Sequence, residues 1–149
     1  VDGALVGYGC IAPEPLVAAL GKLIEFNTSC APVFVQRAGL AALAGADEFV
    51  PGLIGRLRHC RDTLLPQLGA LPGVSVASPE GGMYAFFRVA GQDDSLAFAK
   101  RLVTEVGLGL APGAAFGPEA EGWLRWCFAS RDPQRLTDGV KRLSRAIGL

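Results

Sequence analysis

Arg125 stands alone as a charge in an apolar run, Trp123-Leu124-Arg125-Trp126-Cys127-Phe128-Ala129. Alternation along a strand puts Leu124, Trp126 and Phe128 on one face and Trp123, Arg125 and Cys127 on the other. A guanidinium stays charged and offers five donors in a planar fork, so where it is enclosed it calls for a carboxylate or a phosphate. Two readings are open: an anion-binding group, or a charge that sits on a solvent-facing edge or pairs with a structural carboxylate. Other reactive side chains are few. The lysines, Lys22, Lys100 and Lys141, all fall within amphipathic helical segments. His59, the single histidine, lies beside Arg58 and Arg61 in a long helical pattern and is expected on a solvated face, so no multi-histidine metal site is expected.

The elements that must carry these groups follow from periodicity and punctuation. Ala4 to Ala12 is short, apolar and closed by proline, which predicts a buried strand. Pro15 suits the first turn of a helix with Leu16, Leu20, Leu23 and Asn27 on one face, and Asn27-Thr28-Ser29 breaks it. Pro32 opens a second helix through Val33, Gln36, Leu40 and Leu43, which Gly45 ends. Asp47 is the expected N-cap of a long helix whose stripe runs Val50, Leu53, Leu57, Cys60, Leu64, Leu68 and Leu71, with Pro66 expected to kink or end it.

Beyond Leu71-Pro72-Gly73, strands are predicted at Val74 to Ala77 and at Met83 to Val89, the latter mostly buried, around a Ser78 to Gly82 turn. Asp93-Asp94 caps a helix over Ser95 to Val106, whose expected buried face is Leu96, Ala99, Leu102, Val103 and Val106, with Gly107 as its left-handed stop. Gly107 to Ser130 then reads as strand, Pro-Gly turn, glycine-rich loop and second strand. That loop lacks the G-K-[ST] of a phosphate loop and is read as a turn that places the last strand. Asp132-Pro133 starts a closing amphipathic helix with Leu136, Val140, Leu143 and Ile147 on one face. From Val74 the order strand, strand, helix, strand, strand, helix predicts a small α+β layer with helices on one face of a short sheet.

Composition narrows the function classes. The 149 residues carry a net charge of zero, which gives no electrostatic case for nucleic acid or an anionic membrane as partner. Charged residues make up 19 %, against about 25 % in an average soluble domain, so part of the surface is expected to be covered. No apolar run approaches the roughly 18 residues of a membrane span, and no basic segment precedes an apolar core at the start, so neither anchor nor signal peptide is expected. Cys10, Cys30, Cys60 and Cys127 are spaced too irregularly for a zinc site or a redox pair and are expected as buried free thiols in a reducing cytoplasm.

The series "apolar strand, P-G-x-x-F-G, acidic loop, φ-R-φ-x-φ-A" in Leu110 to Ala129 resembles the C-terminal signature of the class I/II, fold type I, pyridoxal phosphate-dependent aminotransferases. Further matches are Gly7 to Pro13, Asn27 to Ser29, Gln36-Arg37-Ala38 and the GGMYAF stretch from Gly81 to Phe86. The resemblance implies an α/β fold, with residues 1–45 as a remnant of the large cofactor-binding domain and 46–149 as the small C-terminal domain with its bridging helix. It implies that Arg125 binds the α-carboxylate of an amino acid substrate, and that Asn27, Thr28 and Ser29 reach the cofactor site of the neighbouring subunit across a homodimer. The family's chemistry also needs a lysine that holds pyridoxal phosphate, an aspartate on the pyridine nitrogen and a phosphate cup. None of the three lysines has the family's Ser-Lys setting; aligning Gly3 and Gly7-Tyr8 with the family's G-W-R-φ-G-Y segment implies that the catalytic lysine lies a few residues before Val1, and puts Leu5 where the family has an arginine on the cofactor phosphate. The expected activity of the complete protein is transfer of an amino group between an α-amino acid and a 2-oxo acid. The alternatives are a non-catalytic ligand-sensing or dimerisation domain of a transcription regulator, and a lyase on the same fold.

Overall fold

The computed structural model describes residues 14–27 and 29–149. The predicted strand at Ala4 to Ala12, Cys10 and Thr28 lie outside the described residues. The chain divides into two compact units, one ending at Pro51 and the other running from Gly52 to Leu149.

The first unit contributes helices α1 (Glu14–Asn27) and α2 (Val33–Ala44) and the first turns of α3 (Ala46–Gly69). Prolines stand where their missing N–H costs nothing: Pro15 in the first turn of α1 and Pro32 at the N-cap of α2. Neither helix buries a residue. Leu20, Leu23, Phe26 and Leu40 all face solvent among the described residues.

Helix α3 corrects one expectation and narrows another. Asp47 is not its N-cap: the helix already begins at Ala46, and the Gly45 carbonyl accepts from the Glu48 and Phe49 N–H groups. Asp47 and Glu48 instead lie in the first turn, where their charge favours the positive end of the helix dipole. Pro66 does not end the helix, which continues to Gly69. The carbonyl that loses its partner there belongs to the exposed Asp62, where water can take the bond, and fully buried Leu64 and Leu68 hold this stretch in the core.

The second unit is mixed α/β. Its sheet is β1 (Val74–Val76), β2 (Tyr84–Val89), β3 (Ala111–Pro112) and β4 (Trp123–Cys127), in the order β1-β2-β4-β3 with every pairing antiparallel. Register aligns Phe87 with Leu124 and Ala85 with Trp126. These four are buried, together with Cys60, Leu64 and Leu68 of α3, Phe98 and Leu102 of α4 (Ser95–Val106), and Leu136, Val140 and Leu143 of α5 (Gln134–Ala146). Burying a Phe or Leu side chain stabilises by about 1.5–3 kcal/mol, so this single layer between sheet and helices carries the unit.

Strand β2 is not mostly buried. Ala85, Phe87 and Val89 point into the core while Tyr84 and Arg88 are exposed, the alternation of a sheet with one covered face. The stripe on α4 also sits differently, with Ser95, Phe98, Ala99 and Leu102 buried and Leu96 and Val103 outward. Both stripes keep helical spacing, and the phenyl ring of Phe98 wins the core over the isobutyl of Leu96.

Helix ends follow local rules. The Asp94 carboxylate accepts from the Ala97 N–H at 2.8 Å, and Gly107 closes α4 at φ 65°. Arg142 of α5 donates to the Val106 and Gly107 carbonyls at that end. Helix α5 begins one residue later than Asp132-Pro133 predicts, with Pro133 at its N-cap, and the Asp132 carboxylate accepts from the Gln134 N–H just ahead of it. Helix α5 reaches the sheet at Gly139, where an added Cβ would lie 2.5 Å from the Trp126 ring.

Candidate functional site: a ring-flanked arginine on the open sheet face

The face of the sheet opposite the core layer carries Tyr84, Phe86 and Arg88 from β2 and Trp123, Arg125 and Cys127 from β4. Strand β4 lies between β2 and β3, and Arg125 is paired with Phe86 on one side and Ala111 on the other. The guanidinium is thus fixed at the middle of the sheet. Its Cζ lies 3.8 Å from the centroid of the Phe116 ring and 4.2 Å from that of Tyr84. Phe116 in turn meets Phe86 edge-on, at 5.7 Å and 75°.

Arg125 forms no ion pair among the described residues, and its Nε is shielded from water without a hydrogen-bond partner among them. Of the two readings, pairing with a structural carboxylate is therefore not realised within the described residues. An unpaired buried donor on a charged group costs about 1–3 kcal/mol or more. Aromatic contacts occupy the faces of a guanidinium and leave its edge to a planar anion, so the arrangement suits a carboxylate.

Phe116 is the aromatic of the P-G-x-x-F-G series, where sequence alone gives it no role at the site. It rides on two short 3₁₀ turns, Gly113–Phe116 and Pro118–Ala120, where a simple turn was expected. Gly113 is required there, because an added Cβ would collide with the Ala120 carbonyl oxygen and approach that of Trp123 at 2.7 Å. Fully buried Ser95, at the start of α4, accepts from the Ala114 N–H with its Oγ. Glu121 Oε1 accepts from the N–H groups of Ser95 (2.8 Å) and Gly122 (2.9 Å). Hydrogen bonds from the Ser95 side chain, then from the Ser95 and Gly122 backbone, hold the Glu121 carboxyl below the usual carboxylate range. A depressed folded-state pKa stabilises fully above the unfolded value and is lost as pH falls through the folded one. Glu121→Gln is accordingly expected to lower the thermal midpoint near neutrality, with the gap to wild type closing as pH is lowered below about 4. Thermal melts of both proteins at several pH values check this, and a gap that widens in acid would contradict it.

The other candidates are dispersed. Tyr84 is 41 % exposed and lies against Arg125. Cys60 is buried, its Sγ–H donating to the Ser130 carbonyl, but Cys30 and Cys127 are exposed, against expectation. Cys127 is exposed because β4 alternates onto the uncovered face. His59 is exposed, as its place in the helix predicted. Asn27 ends α1, and Ser29, at φ 59°, donates from its N–H to the Ile24 carbonyl and from its hydroxyl to that of Glu25, a left-handed helix stop. No single described helix is long and apolar enough to cross a membrane, and no metal-binding group of side chains occurs among the described residues.

The family description "Aminotransferase class I and II" matches residues 1–143. The chain belongs to that family. It is 33 % identical to the aspartate aminotransferase of Musicola paradisiaca over 131 residues, covering 87 % of itself and 32 % of that relative. Aspartate aminotransferase from Thermus thermophilus, solved with maleate, superposes with a TM-score of 0.77 at 28 % identity, over 90 % of this chain and 35 % of that one. A pyridoxal phosphate-dependent aminotransferase from Streptococcus suis gives 0.77 at 26 % identity, over 91 % and 36 %. The chain thus spans about a third of the length of the relatives it matches.

Membership implies pyridoxal phosphate as cofactor. The described residues do not assemble a cradle for it. Lys100 and Lys141 are exposed on α4 and α5, the helices that cover the face of the sheet opposite Arg125, and Lys22 is exposed on α1. No lysine of the second unit shares the Arg125 face.

Proposed function

We propose that the chain is the C-terminal, carboxylate-recognising part of an aminotransferase that moves an amino group between an α-amino acid and a 2-oxo acid. The observation that carries this reading is the unpaired, ring-flanked guanidinium of Arg125. Amino donor and 2-oxo acceptor differ at the carbon that exchanges nitrogen but share the carboxylate beside it. One bidentate arginine can therefore serve both halves of the reaction, binding and orienting the carboxylate while the bond changes take place one atom away. A carboxylate such as maleate is expected to compete for the same group. The lysine and the phosphate site that the cofactor requires are assigned to sequence outside these 149 residues, and residues 1–45 to the large domain that holds the cofactor.

The exposed apolar faces of α1 and α2 support burial against further protein, and we assign Asn27, Thr28 and Ser29 to a homodimer interface near the neighbouring cofactor site. The free thiols of Cys30, Cys60 and Cys127 support a reducing compartment, the cytoplasm.

The test is to mix the purified 149-residue chain with pyridoxal phosphate, an amino acid and a 2-oxo acid, and to follow 2-oxo acid exchange beside the full-length protein. Saturable turnover is expected from the full-length protein and none from the chain. Multiple turnovers by the chain alone would make Lys22, Lys100 or Lys141 catalytic and overturn the assignment of the lysine. A full-length protein without exchange activity would overturn the aminotransferase reading itself.

A further inference from the structure

We infer that Phe116 is a positioning residue for carboxylate recognition, holding the plane of the Arg125 guanidinium so that its edge faces the substrate; this rests on the proposed role of Arg125. An arginine side chain turns about four torsions, and a free one spreads its fork over many orientations, of which few present two donors to one carboxylate. A ring 3.8 Å from Cζ restricts that freedom without using any donor, because it engages the face of the ion and leaves the in-plane N–H groups open. Tyr84 is the second flanking ring.

The support behind Phe116 fits positioning better than packing. The ring is 44 % exposed and lies outside the buried core, so its burial adds little to folding. Yet its backbone is held tightly, by the approach of Gly113 to the Ala120 and Trp123 carbonyls and by the bond from Ala114 to Ser95, while Phe86 sets the tilt of the ring. A half-exposed ring on a backbone this constrained, with a cation as close neighbour, is built to orient that cation.

A double-mutant cycle in the full-length protein tests this, using whichever of the twenty amino acids gives the highest kcat/KM with the wild type. Phe116→Leu is expected to lower kcat/KM about tenfold while the thermal midpoint stays that of wild type. Phe116→Tyr, which keeps a ring face, recovers most of the loss. In an Arg125→Ala background Phe116→Leu has no further effect, because the ring acts only through the guanidinium. Should the leucine variant melt earlier than wild type, Phe116→Met carries the same expectation. Wild-type kinetics for Phe116→Leu beside a large loss for Arg125→Ala would overturn the inference alone, as would an equal loss from Phe116→Leu in both backgrounds. Wild-type kinetics for Arg125→Ala would overturn the carboxylate reading beneath it.

Discussion

Arg125→Ala in the full-length protein is expected to lower kcat/KM by about two to three orders of magnitude, the range for removing one partner of a desolvated, hydrogen-bonded charge pair. The loss is large because nothing else among the described residues on that sheet face can replace the fork. Arg88 shares the face but lies diagonally across, since register pairs it with Trp123 rather than with Arg125. Arg125→Lys keeps the charge but loses both the two parallel donors and the flat ion that lies against Phe116 and Tyr84, so its activity falls between alanine and wild type. Stability is expected to move little. Truncation forfeits two cation–ring contacts, and it also removes an Nε that is buried without a partner; contributions of about 1 kcal/mol each way offset one another. Steady-state kinetics beside thermal melts on the three proteins check both halves, and unchanged kinetics in the alanine variant would remove Arg125 from the substrate site.

Gly113→Ala is expected to destabilise the second unit by about 3 kcal/mol or more, the upper end of overpacking costs. The new methyl has nowhere to go: it overlaps the Ala120 carbonyl oxygen, with the Trp123 carbonyl oxygen 2.7 Å away, and both are backbone atoms of the segment that leads into β4. Relief requires the loop to lift, which carries Phe116 away from Arg125, so activity falls with stability. Gly81→Ala is the control, because no atom lies within 4 Å of a Cβ there and its φ is not positive; it is expected to be neutral to slightly stabilising. Urea denaturation of both variants against wild type decides the matter. Equal midpoints for Gly113→Ala and Gly81→Ala would show that the loop yields at no cost.

The elements that rest on neighbours in the chain were legible from the sequence. Asp94 and Gly107 bracket α4 because capping joins groups three or four residues apart, and the 4-3 spacing of Leu136, Val140 and Leu143 carries its own core face. Alternation alone placed Arg125 opposite Leu124 and Trp126, and the C-terminal signature around it, together with the matching stretches upstream, carried the family. What surrounds the guanidinium was not legible. Tyr84 reaches it from 41 positions upstream, through a register that exists only once β2 and β4 pair, and Phe116 arrives on 3₁₀ turns held by a serine and a glutamate 26 residues apart. Pro66 and the thiols mark the same limit. Residue type says what a side chain prefers, but whether Pro66 breaks a helix or Cys127 meets water depends on which face the packed layer leaves uncovered, and that is decided by contacts between segments remote in the chain.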